Sequence, residues 1–450
     1  MSQIKIQKGH DIQIAGVPKR DLEISVKPQT AAIHPSEFQY VKPKLMVKKG
    51  EHVKVGAPLF NDKRNPLVKW ASPGAGEITE IHYGARRVIE KIIIELSQNE
   101  ESVEFPILDP KQILESSKEK ISEQILNAGL WPIIRQRPFN KIANPEEEPH
   151  SIFISCFNSA PLTVDIDVAL QNKESSFNTG VAALSRLTKG DIHIGVAENS
   201  ISETLMDVPR AKIHSISGPH PAGNVGIQIH HIDPLKPGKI IWTVNAQHVI
   251  TLGRLFLKGV FDPSIVMTIG GPAVNKPTHL KTRMGTAIQP LINERIIDGK
   301  NRFISGDVLT GKCIDKIDHV YFYHTSVTVL PESDDREFLG MLRLGSGKSR
   351  YSLTNAFNSI GRSLYPFNTN KNGEERAMVP INSWEKVLPM DILPNPLFRS
   401  ILANDIEEME QLGLLECDEE DFALCSFADA SKIDIGTVIR RGLDVLEAEG

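Results

Sequence analysis

The sequence predicts a multidomain protein of mixed class, α/β with α+β parts, and three observations carry that reading. Lys239 to Ile292 reads as a strand, a helix, a second strand and a turn into a further domain. The first hundred residues are strand-like and punctuated by proline and glycine, whereas the last fifty hold two helices of clear amphipathic period. At 450 residues the chain has room for roughly three domains.

In the central stretch Ile240, Ile241, Trp242 and Val244 form a short apolar run, and Val249, Ile250, Leu252, Leu255 and Phe256 then recur at helical spacing until Gly259 offers a stop. Ser264 to Ile269 is a second apolar run. Two apolar strands joined by one helix predict a parallel β-α-β crossover, buried on both faces. Gly270, Gly271 and Pro272 follow where open parallel sheets often hold ligands, but two glycines and a proline also make an ordinary strand exit, which is the reading adopted. No G-x-G-x-x-G joins a strand to a helix, so no dinucleotide grip is expected.

From the start of the chain, Val47 to Leu59 and Ala71 to Ile78 carry spaced glycine turns and an S-P-x-x-G-x-I hairpin, the pattern of a barrel-sandwich hybrid of the biotinyl or lipoyl type. Lys63 lies between the two halves without the flanking residues of a modified lysine, and reads as an exposed loop residue. Pro110 to Gly129 predicts one amphipathic helix, with Ile113, Leu114, Ile121, Ile125 and Leu126 on its apolar side. In the next segment, Leu130 to Asn140, Arg135 and Arg137 stand beside Trp131 and Phe139. Guanidinium groups fork onto anions and stack on rings, so these four could grip an anionic or aromatic ligand; a surface loop with solvated arginines is the competing reading.

Asn144 to Pro149 is a linker, and Ile152 to Phe157 and Ile192 to Val196 are strand candidates alternating with the segments Val164 to Leu170 and Gly180 to Leu187. Ser217 to Asn224 is a glycine-proline loop. His230 and His231 are assigned to a strand, whose neighbouring side chains point to opposite faces and make a poor chelate. Asp318 to Leu330 is β-prone, Ser305 to Gly311 looks like a hairpin turn, and Gly345 to Lys348 fails the phosphate-loop spacing and reads as a flexible linker. Ser363 to Met390 reads as an irregular connector, and Ile401 to Leu412 and Gly436 to Ala448 as helices, with Asp418 to Asp421 at a helix start.

Hydrophobic content of 40% with 24% charged residues is that of a soluble globular protein. No apolar run is long enough for a membrane span, and Met1 to Gly16 holds no signal-peptide core, which places the expected site of action in the cytoplasm or on its side of a membrane. Of a net charge of −5, residues 401–450 hold 14 acidic and 3 basic side chains against 42 and 48 elsewhere. That asymmetry suits a membrane or partner-facing body, or a solvated helical tail, and nothing in it argues for nucleic acid. Cys156, Cys313, Cys417 and Cys425 are too scattered for a disulfide framework or a zinc site.

Taken together, Ile4 to Gly9 with Ile14 to Pro18, Leu130 to Pro132 with Arg135 to Phe139, Ser217 to Gly223, Thr268 to Val274, and Asp418 to Asp421 with Leu424 and Cys425 make the chain resemble the A-type subunits of the Na+-translocating NADH:quinone reductases over nearly its whole length. It is more distantly similar to the C-type electron-transport subunits of the Rnf complexes and to the flavin-binding subunit of respiratory complex I. The resemblance implies a barrel-sandwich hybrid domain over residues 1–100, a Rossmann-like domain over 101–264, a β-grasp soluble-ligand-binding domain over 265–345, and a linker with a C-terminal helical domain over 346–450. It also implies a peripheral subunit on the cytoplasmic side of the bacterial inner membrane, assembled with five other subunits that pass electrons from NADH to ubiquinone and export Na+.

In the distant relatives the position of Arg135 to Phe139 is a glycine-rich flavin loop and the tail carries iron–sulfur cysteines. Here arginine and proline replace the glycines and only Cys417 and Cys425 remain, so no FMN, no iron–sulfur cluster, no metal and no catalytic residue is expected. For ubiquinone the expected grip is Trp131, Arg135, Arg137 and Phe139, rings for stacking and cations for a carbonyl oxygen. The alternatives are a purely structural adaptor for the membrane subunits and a carrier protein modified at Lys63.

Overall fold

The computed structural model describes residues 2–24, 27–333, 351–353 and 364–449, so the Gly345 to Lys348 reading lies outside the described residues. The N-terminal strands form two small packed sheets. One orders Thr30–Ile33, Ile89–Leu96, Gly76–Tyr83 and His52–Val53; the other orders Pro43–Leu45, Pro58–Asp62 and Lys69–Ala71. Between them Leu59, Phe60, Trp70, Ile78, Ile92 and Ile94 are buried, with the Phe60 and Trp70 rings stacked at 4.6 Å. Lys63 is exposed beyond the end of strand Pro58–Asp62.

A seven-stranded sheet follows, ordered Ser2–Lys5, Lys212–Ser217, Asp191–Ala197, Ser151–Cys156, Ile241–Asn245, Ile134–Arg137 and Lys141–Ile142. The first five run parallel, Ile134–Arg137 runs against them, and Lys141–Ile142 turns back to pair antiparallel with it. The chain's first strand therefore closes one edge of a sheet built mainly from residues 134–245.

Both strands expected around the central helix exist, but they do not share a sheet. Ile241–Asn245 lies between Ser151–Cys156 and the antiparallel Ile134–Arg137, which takes the place a returning crossover strand would need. Ser264–Gly270 instead enters a six-stranded sheet, ordered Lys312–Ile314, Asn301–Ser305, Ser326–Pro331, Ser264–Gly270, Thr278–Arg283 and Lys19–Ile24. Each strand is central in its own sheet and apolar on both faces, so composition reads the same for one sheet or two.

The helix between them, Ala246–Lys258, is capped by Asn245, whose side chain accepts the Gln247 N–H at 2.9 Å, and ends at Gly259 in the left-handed conformation (φ 65°). It packs on helix Glu174–Leu184 through two glycines. A Cβ on Gly180 would meet the Val249 carbonyl oxygen at 2.1 Å, and one on Gly253 the Ser176 carbonyl oxygen at 1.7 Å. The two backbones approach so closely that only hydrogen fits at those positions.

Three predicted helices or strands are redrawn. The helix expected over 110–129 is two, Pro110–Glu115 and Lys118–Asn127, because the Ser116 hydroxyl turns back to the Gln112 carbonyl and Ser117 caps the next helix at the Lys120 N–H. Val225–Ile232, which holds His230 and His231, is a helix and not a strand: Ile227 and Ile229 are buried and packing overrides the β-branched bias. His230 lies 2.9 Å from Glu416, and His231 lies 2.9 Å from the Pro389 carbonyl. Of the β-prone run 318–330 only Ser326 onward is a strand; Tyr321 to His324 form a turn.

Residues 364–390 hold no helix and no strand of any length, as an irregular connector should. The C-terminal helices are Pro394–Ala403, Ile406–Gln411, Ala423–Ala428 and Ile435–Glu449. Asn404 in the left-handed conformation divides the first predicted helix, and Asp405 caps its second half at the Glu408 N–H. Leu397, Ile401, Met409, Leu414, Phe422 and Leu443 form their core, which also takes in Ile6, Ile216 and Ile227 of the middle sheet and its cover. Among the described residues no helix is long and apolar enough to cross a membrane, and no group of three or more His, Cys, Asp and Glu is placed to hold a metal ion.

Candidate functional site

The segment 131–141 is a short helical turn, Trp131–Ile133, running into the edge strand Ile134–Arg137 and back through Lys141–Ile142. Trp131 is fully buried; its indole N–H donates to the Ala143 carbonyl at 2.7 Å and its ring meets Trp242 edge-on at 5.6 Å. Strand alternation sends Gln136 to the face opposite the two arginines. Gln136 ties this edge together by accepting the Trp242 indole N–H and the Asn144 N–H and donating to Glu147 at 2.8 Å.

Arg135 and Arg137 share a strand face but not a role. Arg135 lies 4.9 Å over the Tyr323 ring, and the Tyr323 hydroxyl donates to the Pro132 carbonyl at 2.6 Å. Arg137 is 1% exposed. Its Nη2 is 2.9 Å from both Asp418 and Glu420, and its Nη1 is 3.9 Å from Asp421. Neither arginine is a solvated loop residue, which corrects the competing reading of this segment. Burial works against the charge of Arg137, and Asp418, Glu420 and Asp421 more than offset it, keeping the guanidinium protonated. Burial pushes the Glu420 and Asp421 carboxyls upward against the pull of Arg137.

The same cluster is closed by Arg440, which contacts Asp418 at 2.8 Å and Glu419 at 2.9 Å and donates to the Phe139 carbonyl at 3.0 Å. Asn140 donates to Asp418 at 2.7 Å. Phe139 and Asn140 both sit at positive φ, 75° and 53°, so the chain turns sharply at the corner that presents the Phe139 ring.

That ring borders a cleft of about 200 Å³ lined by Gln136, Pro138, Phe139, Lys141, Leu235 and Lys236, with Lys239, Ile240 and Leu415 completing it. Its wall is mostly carbon. Lys141 sits 5.3 Å over the Phe139 ring while bonding Glu447 at 2.6 Å, and exposed Lys236 stands at the rim. Of the four residues singled out from sequence, Phe139 lines the cleft, Arg137 and Arg135 are engaged elsewhere, and Trp131 supports the strand from behind.

Sequence reasoning did not find Lys141, Leu235, Ile240 or Leu415, which come from three distant segments and share no motif. The sequence marks the acidic turn 418–421 as a helix start and as part of the family resemblance, not as a partner of Arg137. Its charge complementarity with Arg137 and Arg440 was the one available signal.

Three family profiles match the chain: the NqrA N-terminal barrel-sandwich hybrid domain over residues 4–97, the NqrA second alpha/beta domain over 116–261, and the NQRA C-terminal domain over 266–316. Similar curated proteins are named as the A subunit of Na(+)-translocating NADH-quinone reductase. The chain is 37% identical over 451 residues to that of Pseudomonas aeruginosa strain UCBPP-PA14, 36% over 452 to that of Tolumonas auensis, and 37% over 453 to that of Neisseria gonorrhoeae strain FA 1090. Each alignment covers 99% of this chain and 100% of the relative. A solved NAD+-reducing nickel–iron hydrogenase, in its H2-reduced state, overlays on 76% of this chain and 61% of its own at a TM-score of 0.38 and 11% identity, too distant to carry a fold assignment. With its N-terminal sandwich, its mixed multidomain build and full-length similarity to these proteins, the chain belongs to the NqrA family, the A subunits of the Na+-translocating NADH-quinone reductases.

Proposed function

We propose that this chain is a peripheral subunit on the cytoplasmic side of a six-subunit sodium-pumping complex, that it contributes a ubiquinone-binding surface, and that it carries no redox cofactor of its own. The observation that carries the quinone reading is the carbon-walled cleft of about 200 Å³ bordered by the Phe139 ring with lysines at its rim. A quinone ring stacks on an aromatic face, and an ammonium donates to its carbonyl oxygen. Arg135 and Trp131 then act from behind, holding the strand that presents Phe139.

The cofactor-free reading draws on Arg137, whose charge is spent on Asp418 and Glu420, and on Cys417 and Cys425, whose thiols burial pushes up, away from the thiolate form a cluster would need. We also assign the seven-stranded sheet to a Rossmann-like unit, the six-stranded sheet to a β-grasp unit and the residues after 393 to a helical unit. The adaptor reading has one observation in its favour, since the 137–418 contact serves internal docking and not a ligand. The carrier reading would appear as added mass on Lys63.

Calorimetric titration of the full chain with a short-tailed ubiquinone tests the quinone reading. Saturable one-site heat is expected, weakened about 3- to 10-fold in Phe139→Ala through the lost ring contact. Absence of saturable heat would move the quinone site to the partner subunits, and equal affinity in the variant would place it on this chain away from the Phe139 cleft.

A further inference from the structure

Helix Val225–Ile232 starts without the side-chain cap its sequence offers. Asn224 occupies the cap position, but its amide donates to the Glu420 carbonyl at 3.0 Å and makes no bond to the helix's first turn. The opening N–H groups of a helix have no partner within it and carry partial positive charge, so an anion is favoured there. What stands against that turn is a carboxylate from a segment nearly two hundred residues away. Asp421 is 1% exposed, and its Oδ2 and Oδ1 would lie 2.2 and 2.7 Å from a Cβ placed on Gly226. Position 226 must therefore be glycine for the carboxylate to reach the first turn.

Two further facts mark this as a seat for an anion. Arg137, itself buried, brings its Nη1 to 3.9 Å of Asp421 Oδ2, and among the described residues that nitrogen has no hydrogen-bond acceptor. Among the described residues Asp421 Oδ1 likewise has no donor, while Oδ2 takes only the Asp418 N–H at 3.2 Å. A buried carboxyl group lying against the first turn of a helix and beside a guanidinium, with no helix N–H among its donors in the described residues, is held by their combined field and not by a closed set of hydrogen bonds.

We propose that the first turn of helix 225–232 and Arg137 form a binding seat for carboxylate anions, and that Asp421 is its resident occupant, so the C-terminal helices dock on the middle sheet as an intramolecular ligand. Freed of Asp421, the seat takes a small external carboxylate. The glycine at 226 is what gives the seat its depth.

The test is chemical rescue in the full chain. Asp421→Gly is expected to lower the unfolding midpoint by roughly 5 °C. Formate or acetate should then restore at least half of that drop saturably, while chloride at equal ionic strength does not and the wild type does not respond. Adding Gly226→Ala to Asp421→Gly should abolish the rescue, since the new Cβ fills the seat. An unchanged midpoint in Asp421→Gly, or equal formate and chloride effects, would overturn the proposal. If Asp421→Gly does not fold, Asp421→Asn keeps the shape without the charge, and a wild-type midpoint there would overturn it equally.

Discussion

Arg137→Ala is expected to release the C-terminal helices from the middle sheet at a loss of about 3–5 kcal/mol, the range found when one partner of a buried ion pair is removed. Arg137 and Asp418 are both about 1% exposed, and Asp418 also serves Arg440 and Asn140. Without the guanidinium, Asp418 and Asp421 remain buried with one cation between them instead of two. Restoring balance then requires protonating a carboxyl or letting water in, and water enters most cheaply by lifting the helices off. Hydrogen exchange reads this directly: amides of 394–449 should lose protection in the variant while those of the N-terminal sandwich keep theirs. Glu420→Gln is the contrasting case. Its side chain is 28% exposed, so it should cost about 1 kcal/mol or less. Equal protection in Arg137→Ala and the wild type would show that apolar contacts such as those of Phe422 and Leu443 carry the docking by themselves.

The same residues show what a single sequence can and cannot disclose. The body and end of helix Ala246–Lys258 are legible because its period from Val249 and its Gly259 stop are local, whereas its start at the Asn245 cap went unread. Which sheet its flanking strands join was not legible, since Ile241–Asn245 and Ser264–Gly270 each present apolar faces that fit any sheet interior. Short edge elements were the least visible: four residues at 134–137 and four at 2–5 take their longest pairings from strands far along the chain, Ile241–Asn245 and Lys212–Ser217. Trp131 and Phe139 were picked out as ring-bearing neighbours of arginine, yet one is core and the other borders a cleft. Their separation comes from the positive-φ corner at Phe139 and Asn140, which no residue type there announces. The site's remaining wall, from Leu235 to Ile240 and at Leu415, is assembled by topology.

Two buried histidines should make the fold acid-sensitive in a way substitution can isolate. His248 is 4% exposed on helix 246–258 against the Phe322 and Tyr323 rings, and its Nδ1 has no partner among the described residues. Burial, with Arg135 nearby, holds its imidazole down to about 3. His220 is 2% exposed with Nδ1 at 3.0 Å from the Ser159 hydroxyl and Nε2 unpartnered among the described residues; burial takes it down to about 4 against the opposing pull of Asp307 and Asp11. Both folded values lie below the ordinary value of 6.5, so the unfolded chain binds these protons first. The stability they confer is therefore complete above about pH 6.5 and drains away as pH falls toward 4, amounting to about 2 kcal/mol for each by pH 5. Glu37 works in the opposite sense. Burial pushes it up to about 8, so its protonated form favours the folded chain as pH falls through the same window. A wild-type pH profile would blend the two. The difference between the wild type and His220→Gln cancels Glu37, which is common to both and shares no partner with His220 among the described residues, whereas His248 and Glu37 both meet Phe322, so His248→Gln reads that pair together. Denaturant unfolding at pH 7.5 and pH 5 should show each glutamine variant gaining about 2 kcal/mol relative to the wild type on acidification. A difference that stays constant with pH would mean these imidazoles reach water before the chain unfolds, and that the packing of the Phe322–Tyr323 turn over His248 is looser than its burial implies.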